Sequence, residues 1–454
     1  MIYSLLRAIA GVALRWYYAD VTVTDSSADG GDWRSSVDGP LLVVANHPNA
    51  LVDVLVAARA VPRRLLFTAK ATLFSNPVAR VLLSWLGVLP LRRASDEPGI
   101  ADRGRNAQAF EAITRALAKG RAILIFPEGK SHDEPAMATL RTGVARLALH
   151  GRDAGSVRGL RILPIGLVFE RKEAPRSRIL AVIGQPLEVD SWRATSPASA
   201  IAELTAEIDA RLRAVTLNYD TAEEAAGDAH LATQIAALVR GAATDVGSHD
   251  LRDQTAVARL LPRIRAAVQG ASPAAAARAS AFQSELAALQ HSLDAHHVSL
   301  DDLAISRDIG PGAVFVIRES LILIVGGPVA IWGWLNHFIP FHAAIAAGKR
   351  VRGIAADPAM RTIVAGTALV LMVYMIQGAL VTLIFGPWRG IAYVVSLPIA
   401  ADINLRLRDR LARALRRART YLLFRTHPHL QRELEARAAA LREEALALGR
   451  IRRA

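Results

Sequence analysis

Two kinds of hydrophobic pattern divide the chain. Up to about residue 215, short apolar runs alternate with amphipathic stretches. The runs Val21–Thr24, Leu41–Ala45, Leu65–Thr68, Val88–Leu91, Ala122–Phe126, Ile162–Phe169 and Ile179–Ile183 read as strands. Between them, Pro48–Arg59, Asn76–Leu86, Asp102–Lys119, Leu140–Leu149 and Ala198–Val215 read as helices. Gly87 and Gly120 stand just past two of these helix ends, where a left-handed residue closes a helix. Strands alternating with helices predict an α/β layer fold.

Past residue 215 the strand signals vanish. Thr221–Asp308 is alanine-rich, with helical runs at Ala256–Val268 and Ala274–Leu293, and predicts an all-helical accessory region. From Ser320 the apolar runs reach membrane scale. Thr362–Phe385 is an unbroken stretch long enough for roughly 30 Å of hydrocarbon. Ser320–Ile339 is interrupted by Gly326-Gly327-Pro328, and Ile391–Ala401 is short. Basic residues at Lys349–Arg361 and Arg406–Arg419 flank the long and short runs. By the positive-inside rule both flanks are cytoplasmic. That predicts a membrane hairpin over Thr362–Ala401, with Trp388 and Arg389 outside and the Gly-Gly-Pro segment re-entrant or interfacial.

At the other end, Ile2, Leu5, Leu6, Ile9, Val12, Ala13 and Trp16 make one apolar stripe, which predicts an amphipathic helix in the membrane interface, compatible with packing on the domain that follows. The expected organisation is an interfacial helix (1–20), an α/β domain (21–215), a helical region (216–310), membrane-embedded helices (311–405) and an Arg-rich C-terminal helix (406–454).

Composition sharpens this. Of the 454 residues 52% are hydrophobic, and the net charge is +14. Such a charge suits anionic partners: nucleic acid, phosphate substrates or an anionic membrane face. No nucleic-acid module is recognisable, and a basic helix beside a membrane span points to lipid headgroups. The absence of cysteine excludes disulfides, thiolate catalysis and Cys-ligated zinc. His296-His297 has no further ligand spaced for a metal, so neither metal nor cofactor is expected.

Two strand ends carry chemistry. The run Leu41–Ala45 stops at Asn46-His47-Pro48, with Asp53 inside the following helix. His47 thus sits at the carboxyl edge of a strand, where open α/β sheets bind ligands, and Asp53 can orient its imidazole. The run Ala122–Phe126 breaks at Pro127 and delivers Glu128, Gly129, Lys130 and Ser131. Phe126-Pro127-Glu128-Gly129 alone would serve as a type II turn.

In this order and spacing the blocks resemble the glycerolipid (glycerol-phosphate and lysophosphatidate) acyltransferases. Asn46-His47 with Asp53 is similar to their first signature, Gly87–Arg93 to the second, Phe126–Gly129 to the third and Leu163–Gly166 to the fourth. The resemblance covers roughly residues 20 to 215. His47 and Asp53 are separated by five residues rather than the commoner four, which resembles the subset with an HxNxxxD pattern. Lys130-Ser131-His132 replaces the usual Thr-Arg-Ser.

The resemblance implies an α/β acyltransferase domain ahead of the helical accessory and membrane-embedded parts. It implies transfer of an acyl chain from acyl-CoA or acyl-carrier protein to a hydroxyl of glycerol 3-phosphate or lysophosphatidate, on the cytoplasmic face of the membrane. His47 would be the general base and Asp53 its orienter. Arg92 or Arg93, with Lys130, would grip the phosphate; Glu128 and Gly129 would position the glycerol portion. Asn46, Lys70 and Ser131 complete the expected binding set. Backbone N–H groups at the start of the helix after Pro48 are candidates for the oxyanion. The rival reading is a lipid-binding scaffold that keeps the fold without turnover.

Overall fold

The computed structural model describes residues 2–26, 37–70, 74–75, 77, 80–81, 87–91, 103–240, 250–270, 272–350 and 358–450. It separates into two compact units, Met1–Ala222 with Gly353–Arg361, and Glu223–Arg352 with Thr362–Ala454.

The first unit is built on a mixed sheet. Its strands among the described residues are β1 (Asp20–Asp25), β2 (Leu41–Ala45), β3 (Leu65–Lys70), β4 (Val88–Leu91), β5 (Ala122–Ile125), β6 (Arg161–Phe169), β7 (Arg178–Ile183) and the two-residue β8 (Leu187–Glu188). The order is β1-β7-β6-β2-β5-β3-β4, with β8 paired to β6. From β6 to β4 every neighbouring pair is parallel; β7 then runs antiparallel to β6. The carboxyl ends of β6, β2, β5, β3 and β4 therefore share one edge. β2 lies inside this parallel set, and all five of its residues are fully buried. A strand covered on both faces needs a continuous apolar run rather than an alternating one, as its sequence supplies.

Helices α1 (Ile2–Tyr17), α2 (Ala50–Ala60), α3 (Arg103–Ala118), α4 (Gly143–Asp153) and α5 (Ala200–Arg213) belong to this unit. Val52, Val56 and Ala60 of α2 recur every fourth residue and are buried along one face. Leu14 and Tyr18, at the end of α1, are buried in the core, so the predicted interfacial helix is docked through its C-terminal turn.

The second unit is helical: α6 (Ala222–Arg240), α7 (Asp250–Gln269), α8 (Pro273–Ala295), α9 (Ile309–Arg350), α10 (Pro358–Phe385), α11 (Pro387–Thr426) and α12 (Pro428–Arg450). Phe282, Leu286, Leu289 and Leu293 form the stripe of α8 that packs with Phe424 of α11 and Leu434 and Leu441 of α12. Among the described residues three helices are long and apolar enough to cross a membrane: Ile309–Ala343, Thr362–Phe385 and Pro387–Thr426.

Two details here depart from the sequence reading. Gly326-Gly327-Pro328 does not interrupt α9, which carries Pro328 and Pro340 within one helix. Neighbouring helices can stabilise a proline-containing apolar helix that would not persist alone, and α9 lies along α11 over much of its length. Arg410 of α11 makes a two-pronged bond to Glu319 (2.6 and 2.9 Å), and Tyr393 donates to Asn336 (2.8 Å). Gly333 lets the backbone of α9 press on the Ala400 carbonyl, with no room for a side chain. The short apolar run Ile391–Ala401 is likewise part of a 40-residue helix that continues through the arginines past residue 405.

In the first unit, Gly166 of β6 makes the same kind of approach, against the Val215 carbonyl just past α5. Adding one methyl there forces the helix end off the sheet, an overpacking cost of about 1–3 kcal/mol. Gly166→Ala is expected to lower the thermal unfolding midpoint by several degrees. Gly227→Ala, in the open on α6, should leave it unchanged or raise it; equal midpoints for the two variants would refute the packing argument.

Candidate active site

The loops after β2 and β5, two adjacent parallel strands, meet at the carboxyl edge of the sheet. After β2 the chain turns through His47, Pro48 and Asn49, and α2 starts at Ala50 rather than at Pro48. Ala50 itself has φ of +42°, a left-handed value that costs a residue with a Cβ of order 1–3 kcal/mol. The strain is held in place by bonds at Asn49 and at Ala50 itself. Asp53, one turn into α2 and fully buried, accepts the Asn49 N–H at 2.7 Å. Ser131, from the other loop, accepts the Ala50 N–H at 3.2 Å.

The same Asp53 oxygen lies 2.9 Å from His47 Nδ1. A carboxylate can only accept, so Nδ1 carries the hydrogen and Nε2 is left as the proton-accepting nitrogen. The imidazole also stacks on Phe126, with ring centroids 3.9 Å apart and planes within 10°. The His47 side chain is 14% exposed, open enough to meet a substrate hydroxyl and closed enough to hold one orientation.

Phe126-Pro127-Glu128-Gly129 forms a turn closed by the Gly129 N–H on the Phe126 carbonyl (3.1 Å). The positive φ falls on Gly129 (+78°) and not on Glu128. The turn is therefore not type II, which would place the left-handed residue third; glycine at the fourth position fits a type I turn. This geometry keeps Glu128 pointing inward. Its side chain is 1% exposed, and both oxygens have protein partners. One accepts the His47 N–H at 2.8 Å; the other accepts the Ala138 N–H at 2.8 Å and bonds to His132 Nε2.

Asn46 is turned into the sheet. Its amide donates to the Leu167 carbonyl (3.0 Å) and accepts the Leu167 N–H (2.7 Å), clamping the end of β2 to β6. Lys130 is exposed on the turn. Lys70 ends β3 on the same edge, with β5 between it and β2. Arg92 and Arg93 lie outside the described residues, directly after Leu91 of β4. Of the backbone N–H groups expected to face an oxyanion, those of Asn49, Ala50 and Val52 bond to Asp53, Ser131 and the Asn49 carbonyl.

The structure adds residues that the sequence did not single out. Tyr18 donates to the Lys172 carbonyl (2.8 Å), and its oxygen accepts from Asn49 (3.1 Å). Lys172 Nζ donates to the Pro48 carbonyl (3.2 Å) and pairs with Asp133. Tyr17 donates to the Glu173 carbonyl (2.7 Å), and burial, aided by the Glu173 charge, pushes its phenol up to about 12, so it stays a donor. Phe126 and His132 stand inside or just after a block that was read, so their position in the sequence was visible although their contacts were not.

Against known proteins, residues 26–168 match the family model named Acyltransferase. Glycerol-3-phosphate O-acyltransferase 2 of Saccharomyces cerevisiae is 31% identical over 128 residues, 27% of this chain and 17% of that protein. Lyso-ornithine lipid O-acyltransferase of Pseudomonas aeruginosa is 28% identical over 138 residues, 30% of this chain and 46% of that protein. The chain thus spans less than half the length of either relative. The 1-acyl-sn-glycerophosphate (LPA) acyltransferase from Thermotoga maritima aligns in structure over 46% of this chain and 78% of that one, with 17% identity and a TM-score of 0.33. Within the matched segment, His47, Asp53, Glu128 and Ser131 are brought into one bonded cluster.

The Asn46 clamp can be tested apart from chemistry. Asn46→Ala leaves the N–H and carbonyl of Leu167 without their side-chain partner. Each buried backbone group so exposed costs about 1–3 kcal/mol. A loss of stability of that order is expected in thermal or denaturant unfolding; an unchanged midpoint would show that the clamp contributes nothing.

Proposed function

We propose that this chain is a membrane-bound acyltransferase of glycerolipid synthesis. It transfers an acyl group from acyl-CoA or acyl-carrier protein to a hydroxyl of glycerol 3-phosphate or lysophosphatidate. The observation that carries the reading is the 2.9 Å bond between His47 Nδ1 and the buried Asp53, at the carboxyl edge of the parallel strands. Matching of this stretch to the acyltransferase family supports it.

As the acceptor hydroxyl attacks the thioester carbonyl, His47 Nε2 takes its proton. The C–O bond forms, the C–S bond breaks, and the imidazolium returns the proton to the departing thiolate. Asp53 holds the tautomer and stabilises the cation as it forms. Arg92 or Arg93, with Lys130, grips the phosphate by charge-assisted bonds, and Lys70 adds positive charge on the same edge. Glu128 acts from below, through the His47 main chain.

Membrane attachment follows from the second unit. Helices α10 and α11 join at Gly386, whose φ of +89° makes the tight turn of a hairpin. Gly378 meets Val394 and Gly390 meets Thr382 across it. Helix α9 runs antiparallel to α11, since Gly312 faces Tyr421 and Asn336 bonds Tyr393. The start of α9 therefore lies beside the arginine-rich end of α11. Both ends face the cytoplasm by the positive-inside rule, where the acyl donor is.

Two outcomes are expected. His47→Asn keeps an N–H for Asp53 but removes the base. Transfer of labelled acyl groups to a panel of glycerol 3-phosphate, lysophosphatidate and lyso-ornithine lipid should fall by roughly 10²–10⁴ with unchanged thermal stability. A variant that keeps more than a tenth of wild-type turnover excludes His47 as base. For the orientation, the native chain has no cysteine, so Ser306→Cys, Trp388→Cys and Arg432→Cys can each be labelled with an impermeant thiol reagent. Positions 306 and 432 should react from the cytoplasmic side and 388 from the other; labelling of 306 and 432 from opposite sides would overturn this orientation.

A further inference from the structure

The acyltransferase domain holds a second histidine–carboxylate pair directly beneath the first. His132 stands four residues after Glu128, and its Nε2 bonds to the Glu128 oxygen that also accepts the Ala138 N–H. The other Glu128 oxygen accepts the His47 N–H at 2.8 Å. The loops are joined once more by the His132 N–H on the His47 carbonyl (3.3 Å). Both main-chain polar groups of His47 are thus held by this second pair, while Asp53 holds its ring.

The two histidines are in opposite tautomeric states. His132 Nδ1 accepts the Glu134 N–H at 3.3 Å, so it carries no hydrogen, and Nε2 is the donor to Glu128. With one ring nitrogen donating to a carboxylate and the other accepting from the backbone, neither is left to take a substrate proton. His132 cannot share the base's role. What it can do is fix the buried Glu128 carboxylate, and through it the backbone from which the His47 imidazole projects.

We propose that His132 is a positioning residue for acyl transfer, setting the place of His47 through the Glu128 carboxylate. This rests on the function proposed above. It predicts damage to turnover more than to binding, because small displacements of a reacting group cost about 10²-fold in rate while leaving substrate contacts intact.

Two substitutions separate the roles. In His132→Gln the amide nitrogen reaches the position of Nε2 and can still donate to Glu128, yet it cannot carry a catalytic proton. In His132→Asn the shorter side chain matches only Nδ1 and cannot reach Glu128. Expected is a fall in kcat of about 10²-fold for His132→Asn with both KM values within about threefold, and recovery to within about tenfold of wild type for His132→Gln.

A second readout needs no substrate. Modification of His47 by diethyl pyrocarbonate, followed by peptide mass spectrometry on the full chain in detergent, should change at least about threefold in the Asn variant and less than twofold in the Gln variant. If the wild type transfers no acyl group to any acceptor, the proposed function fails, and the modification rates alone decide the positioning role. Equal His47 reactivity in wild type and His132→Asn, or a Gln variant as impaired as the Asn one, overturns the proposal.

Discussion

A carboxylate removed from water has to be satisfied from within the protein, and the site is arranged around two of them. Asp53 has no exposed side-chain surface and Glu128 almost none. Each is met by a backbone N–H and by an imidazole. Those donors come from the two loops that follow β2 and β5. Burying Glu128 therefore brings the loops together, and His47 is held where they meet. The left-handed Ala50 is tolerated because its own N–H and that of Asn49 are bonded.

The sheet makes this arrangement possible. Parallel strands deliver all their carboxyl ends to one edge, so residues 81 positions apart, such as His47 and Glu128, arrive within hydrogen-bond distance. The Asn46 amide extends the same logic sideways to β6, and Gly166 allows the segment after α5 to close against that strand. The elements with the least chemical freedom, an interior strand and a side-chain-free contact, stand immediately behind the groups that need the most exact placement.

Much of this was legible in the sequence. The runs Leu41–Ala45 and Val88–Leu91 are strands with the expected limits, the first because a fully buried strand leaves an unmixed apolar signature. His47 and Asp53 were legible because polar residues directly after such a run must lie at the sheet edge. The inward turn of Glu128 was not. Its direction depends on where φ becomes positive, and Pro-Glu-Gly is compatible with either of two turn types. The partners of Asn46 and His132 are tertiary or lie across an irregular loop, where no period links residue to neighbour. The continuity of α9 was hidden for another reason. Gly-Gly-Pro opposes helix locally, and only the packing of Gly333 on α11, visible in three dimensions, reverses that preference. In α11 the change from apolar residues to arginines suggested an end, although both halves are helical.

The tyrosines at the end of α1 tie that helix to the site. Tyr18 bonds at once to the Lys172 carbonyl and to Asn49, the residue between Pro48 and the strained Ala50. Any displacement of α1 is therefore passed through one phenolic oxygen to the turn that carries His47. The helix is thus a brace as much as a cover: the turn that carries His47 leans on the same tyrosine that anchors the end of α1.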